Sequence, residues 1–183
     1  MFYSNGLKNF YLSSGYGIAD YELESFDKAL LDAKVGDYNL IKLSSILPPA
    51  CKLVKEWEEL PWPKGSLIPV AYASHTWSTN ELCALLAESS EENTPYLYAS
   101  VSVAIPENPF ENGLIMESSG VKSYSLESEY DPSFKMAENG MKNRNRVCKE
   151  IKIATVTYDC EQEFEFIRNN FKYITLFACC VLG

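Results

Sequence analysis

The chain has 183 residues, 46% of them hydrophobic, enough for one domain whose core buries about 70% of the unfolded surface. A formal charge of −9 argues against a nucleic-acid partner, whose phosphates would be repelled, and suits a small cationic ligand, although solubility alone explains an acidic surface equally well. The first residues lack a basic stretch followed by an apolar core, and the apolar run 174–182 is too short to span a bilayer, so the expectation is a soluble cytoplasmic protein with no membrane partner.

Residues 9–13 read as a strand leading into a turn at Gly15 and Gly17. Ser25 is then expected to cap a helix whose apolar positions Phe26, Ala29, Leu30 and Ala33 fall at i, i+3, i+4 and i+7, with Gly36 at its C-terminal end. Strands follow at 38–46 and 51–54, a surface loop at 62–65, a strand at 67–72, a short helix at 80–87 and a second loop at 89–95. Further strands are read at 96–105 and 114–117. Asp131-Pro132 opens another helix, with Asp as cap and Pro at the first position; its apolar stripe Phe134, Ala137, Met141 and Cys148 is imperfect, and Asn139-Gly140 weakens it. Strands at 149–158 and 173–182 close the chain. No repeat or linker divides it, so 1–183 reads as a single α+β domain in which sheets and helices interleave.

Several chemistries are disfavoured by what is scarce. Cys51, Cys83, Cys148 and Cys160 are scattered, and adjacent Cys179 and Cys180 point to opposite faces of a strand, so neither a zinc site nor a Cys-x-x-Cys redox centre is indicated; buried, reduced thiols are expected. His75 is the single histidine. A Ser-His-Asp or Cys-His relay would depend on it, and no nucleophile elbow is present. Gly15-Tyr16-Gly17 lacks the third glycine of a dinucleotide loop.

The most informative stretch is Asn39-Leu40-Ile41-Lys42-Leu43-Ser44-Ser45-Ile46-Leu47-Pro48-Pro49. Two serines at a strand-to-turn junction are ordinary by themselves. In a strained turn, however, the Ser45 hydroxyl can attack the Ser44 carbonyl and convert the amide to an ester; β-elimination and hydrolysis then leave a pyruvoyl group where Ser45 stood. Four other stretches accompany it in order: 26–33, 65–72, Ser100-Val101-Ser102-Val103-Ala104-Ile105-Pro106, and Gly113-Leu114-Ile115-Met116-Glu117 with Gly120. Together these resemble the pyruvoyl-dependent arginine decarboxylases over most of the chain. The similarity is weakest at 74–95, where this sequence carries extra residues, and at 121–146.

The resemblance implies a four-layer αββα fold, self-cleavage between Ser44 and Ser45 into chains 1–44 and 45–183, and a pyruvoyl group from Ser45 with neither pyridoxal phosphate nor metal. It implies a lyase that turns arginine into agmatine and carbon dioxide for polyamine synthesis, and a homotrimer of cleaved protomers, or a dimer of trimers, with sites between subunits. Glu117 matches the family's catalytic glutamate; in an otherwise apolar strand a partly buried carboxyl with a raised pKa can return a proton to the substrate Cα. On the residues alone, an exposed strand-end glutamate is the commoner case. Asn39 matches an asparagine whose amide donates to the oxyanion formed during cleavage, a contribution of roughly 3 kcal/mol per donor; a strand-edge asparagine is its plain alternative. Asp27 matches the carboxylate that pairs with the substrate guanidinium, and as a first-turn helix residue it also has a purely structural explanation. Ser118-Ser119 stands where the family often carries an aromatic and an acid, which leaves lysine, ornithine or histidine open as substrates. An unprocessed assembly subunit of the same fold is the non-enzymatic alternative.

Overall fold

The protein is represented by a computed structural model that describes residues 6–89, 95–123, 131–160 and 169–183; most of the loop read at 89–95 therefore lies outside the described residues. The strands form two sheets. The first contains β1 (Asn9–Ala19), β2 (Asn39–Lys42), β4 (Lys52–Leu53), β5 (Leu67–Ser78) and β9 (Tyr173–Leu182), in the order β2-β5-β9-β1-β4. The second contains β3 (Ile46–Leu47), β6 (Pro95–Pro106), β7 (Gly113–Ser123) and β8 (Cys148–Asp159), in the order β3-β7-β6-β8.

Strand alternation sorts the apolar side chains by face. Phe10, Ala71, Ala178 and Cys180 of the first sheet share one buried cluster with Val101, Val103 and Ile115 of the second. Their neighbours Val70, Phe177, Cys179 and Val181 pack instead with Ala29 and Ala33 of α1 (Glu22–Asp32). On the second sheet, Ala104 and Leu114 meet Ala137 and Met141 of α3 (Pro132–Asn143). The expected opposition of Cys179 and Cys180 is observed, and each fully buried large side chain, Phe10 and Phe177 among them, contributes about 1.5–3 kcal/mol.

Three local expectations change. Gly15 and Gly17 do not turn the chain; they lie inside β1, which runs straight through them. A Cβ on Gly17 would stand 2.1 Å from the Ser25 carbonyl oxygen and one on Gly15 2.5 Å from the Ala33 nitrogen, so the glycines let α1 lie directly on the strand. Ser25 is not the helix cap either. The helix begins after Tyr21, and Ser25 is buried within it, its hydroxyl donating to the Glu22 carbonyl at 2.8 Å and meeting the Thr175 hydroxyl at 2.7 Å. At the other end Lys34 (φ 64°), not Gly36, takes the left-handed conformation; Lys34 N–H donates to the Leu31 carbonyl and Val35 N–H to the Leu30 carbonyl.

The remaining helices start as their sequences suggest. Asp131 caps α3 by accepting from Ser133 N–H at 2.8 Å, with Pro132 in the first turn, and Gly140 is tolerated because a Cβ there would meet Leu114 at 2.7 Å. In α2 (Thr79–Ala87), Ser78 and Glu81 form a reciprocal capping box. No helix among the described residues is long and apolar enough to cross a membrane. All six thiols are unpaired, but Cys83 is exposed on α2 and Cys148 is half-buried, so burial holds only for Cys51, Cys160, Cys179 and Cys180. There it pushes the thiols up, to about 11 for Cys51 and Cys160 and about 12 for Cys179.

Candidate active site

The stretch read as one strand at 38–46 is two strands in different sheets. β2 runs parallel to β5, with Asn39 opposite Leu67 and Lys42 opposite Val70, whereas β3 runs antiparallel to β7, with Ile46 opposite Leu114. Ser44-Ser45 is where the chain crosses from one sheet to the other. Each side of the crossing is anchored: Leu43 N–H donates to the Val70 carbonyl at 2.9 Å, and Ile115 N–H donates to the Ser45 carbonyl at 3.0 Å. Period-two patterning cannot reveal this switch, because both halves alternate in the same way.

Between the anchors the chain makes a three-residue turn in which Ile46 N–H donates to the Ser44 carbonyl at 2.5 Å. That carbonyl is the one Ser45 would attack, and the donor already on it would face the negative charge that develops on its oxygen. A main-chain donor is invisible in residue types, so sequence reasoning missed it.

Glu117 approaches from β7. Ile115 belongs to the cluster between the sheets and Met116 packs toward α3, so alternation turns Glu117 inward; Ser119, the next residue on that face, donates to the Ser74 carbonyl of the opposite sheet at 3.3 Å. Its side chain is 22% exposed, and its Oε2 is buried without a hydrogen-bond partner among the described residues. Loss of water around the carboxyl pushes its pKa above the usual carboxylate range, and the Lys42 ammonium, 3.9 Å from Oε1, opposes that rise. A carboxyl in this position is able to hold and deliver a proton.

For the other two residues the structure shows no hydrogen bond or ion pair to Ser44, Ser45 or Glu117 among the described residues. Asn39 begins β2, about 10 Å from Lys42 along the strand, and its Nδ2 donates to the Gly65 carbonyl at 3.0 Å. Asp27 is exposed on α1, which packs mainly over β1 and β9 and also touches β5, the neighbour of β2. Asp27 forms no ion pair among the described residues. Lys42, by contrast, was not singled out by the sequence, although it is the one charged residue in the run 40–47. No group of three or more metal-ligating side chains occurs among the described residues.

The family model for pyruvoyl-dependent arginine decarboxylase matches residues 9–183. A pyruvoyl-dependent arginine decarboxylase of Methanocella arvoryzae is 36% identical over 135 residues, 72% of each chain. Proteins of the same description from Methanococcus aeolicus and Methanococcus vannielii are 39% identical over 134 residues and 37% identical over 141; the aligned parts cover 73% and 76% of this chain, and 70% and 74% of theirs.

Proposed function

Because the chain belongs to the pyruvoyl-dependent arginine decarboxylase family, we propose that it cuts its own backbone between Ser44 and Ser45 and then converts arginine to agmatine and carbon dioxide. The observation that carries this reading is the anchored crossing turn, with a donor on the Ser44 carbonyl and the half-buried Glu117 facing the same interior. Ser45 Oγ adds to the Ser44 carbonyl carbon, the peptide C–N bond breaks, and the Ser45 amine is freed as an ester forms. Elimination then releases the Ser44 carboxylate, and hydrolysis expels ammonia. The pyruvoyl group so formed supplies an electron sink for the bond pair left when carbon dioxide departs. Glu117 is the proton donor to the substrate Cα, because its poorly hydrated carboxyl keeps a proton that an exposed glutamate would lose.

The layers are read as α1, first sheet, second sheet and α3, the αββα order, supported by the three separate apolar clusters. The small chain 1–44 stays bound after cleavage. It carries β1, laddered to β9 from Phe10↔Leu182 to Ala19↔Tyr173 in the interior of its sheet. An exposed Asp27 with no ion pair among the described residues supports a homotrimer, or a dimer of trimers, in which Asp27 of one subunit holds the guanidinium at another's Ser45. Six unpaired thiols support a reducing, cytoplasmic setting.

Intact-mass analysis tests the reading. The purified protein should contain 1–44 and 45–183, the larger chain lighter by one ammonia than a Ser-terminated fragment, and Ser45→Ala should remain whole. A single full-length mass after prolonged incubation would refute self-processing. Carbon dioxide release should be faster from arginine than from lysine, ornithine or histidine; a faster competitor would replace arginine as substrate.

A further inference from the structure

β2 ends on Lys42, three residues before the cut. Its Nζ stands 3.9 Å from Glu117 Oε1 and 4.5 Å from the centre of the Tyr72 ring, so the ammonium is placed by β5 as well as by its own strand. Resting on the decarboxylase reading above, we propose that Lys42 is a positioning residue for the proton donor: a cation supplied by the small chain that orients Glu117 and governs when it releases its proton.

Two opposed influences act on Glu117. Its buried, unpartnered Oε2 favours the neutral acid. Burial alone tightens the hold on the proton, whereas a donor that must lose and regain a proton in each turnover works best when its affinity lies near the working pH. Lys42 supplies the counterweight. Its side chain is 55% exposed, so its attraction reaches the carboxyl partly through water. Among the described residues, the titratable groups that act on Glu117 are Lys42 from β2 and Cys180 from β9; β6 places Val101 opposite it, and on β5 Tyr72 carries Lys42 while its own ring stacks on Phe177 on the α1 side of the sheet. His75 is exposed and stacked on Trp77, and the Cys180 thiol is pushed up by burial and, to a smaller extent, by Glu117 itself. Lys42 is the permanent cation of this group. It also lies on the opposite side of the cut from Glu117, so the contact joins chain 1–44 to chain 45–183.

The test begins with the uncleaved Ser45→Ala protein, carrying carbon-13 glutamate, in which the Glu117 carboxyl signal is assigned by its loss in Glu117→Gln and titrated by NMR. Lys42→Met should raise the titration midpoint by about one pH unit, the scale of a unit charge near 4 Å in a largely hydrated setting, and Lys42→Arg should restore it. In the self-cleaving protein the alkaline limb of kcat should move up by the same amount. An unmoved midpoint in Lys42→Met, or in Lys42→Gln should the first variant not fold, would overturn the proposal. A midpoint that moves in a protein releasing no carbon dioxide from any amino acid would leave this coupling standing and remove the decarboxylase reading alone.

Discussion

Replacing Glu117 by Gln keeps the shape of the side chain and removes the acid. The variant should still cleave, because the turn at Ser44-Ser45 is held by the Val70, Ile46 and Ile115 main-chain contacts and not by the carboxyl. Turnover should fall by about 10²-fold or more, the usual contribution of a positioned general acid, which corresponds to about 2.7 kcal/mol on the barrier. A second consequence is thermodynamic. The folded pKa of Glu117 lies above its unfolded value, first because of burial and despite Lys42, so its favourable contribution is complete below the unfolded value and is lost as pH rises through the folded one. Glutamine does not titrate. Measured by denaturant unfolding on a Ser45→Ala background, where the chain stays in one piece, the stability of Glu117→Gln relative to its parent should therefore increase as pH rises from the ordinary glutamate value through the raised folded one. Carbon dioxide release and intact mass supply the other two readouts. Near-normal turnover would move proton donation to another group, a flat stability difference would refute the burial argument, and an uncleaved Glu117→Gln protein would assign the carboxyl to processing.

Asp27→Asn should leave cleavage intact and weaken arginine binding by roughly ten- to a hundred-fold, the loss of one charge-assisted pair of about 1.5–3 kcal/mol; an unchanged KM with preserved rates would remove Asp27 from the site. Gly17→Ala places a methyl group against the backbone of α1, 2.1 Å from the Ser25 carbonyl oxygen and 2.6 Å from the Ala29 nitrogen. Since neither atom belongs to a flexible side chain, the cost should reach the upper end of overpacking, about 3 kcal/mol, lowering Tm by roughly 6–12 °C on the Ser45→Ala background; an unchanged Tm would mean that α1 does not rest on β1 this closely.

Where local chemistry decides, the fold was legible. β9 occupies the expected residues because its unbroken apolar run is buried on both faces, and Asp131-Pro132 starts α3 because a carboxylate cap and a preset φ act within one turn. Gly15 and Gly17 were misread because a glycine needed for close approach looks the same in sequence as one needed for a turn; the difference is the backbone of α1 lying against it. Ser25 was misread for a similar reason, since its hydroxyl is satisfied by Thr175, 150 residues away. The site divides along the same line. Ser44, Ser45 and Glu117 were read as site residues through the order of motifs, and the structure turns Glu117 inward from β7, two residues beyond Ile115, which holds the Ser45 carbonyl. Ile46 N–H carries no signature of residue type, and Lys42 acquires its meaning from the approach of β7 and Tyr72.

The position of the cut also sets the order of events. The anchors of Ser44-Ser45 come from two sheets: Val70 belongs to β5 of the first and Ile115 to β7 of the second. The turn is therefore assembled once both sheets have formed and packed through Phe10, Ala71, Val101 and Ile115. An unfolded or half-folded chain presents Ser45 without these two anchors, so on the proposed reading cleavage should follow folding. Breaking the Ser44-Ser45 bond would leave the ladders on either side in place, with β1 paired to β9 and β2 to β5. Separating the two chains would expose the buried faces of Phe10, Ala29 and Ala33, a loss far larger than the single covalent tether that cleavage removes. On the proposed reading, folding thus builds the turn that is cut, and the pairing of β2 with β5 keeps Lys42 beside Glu117.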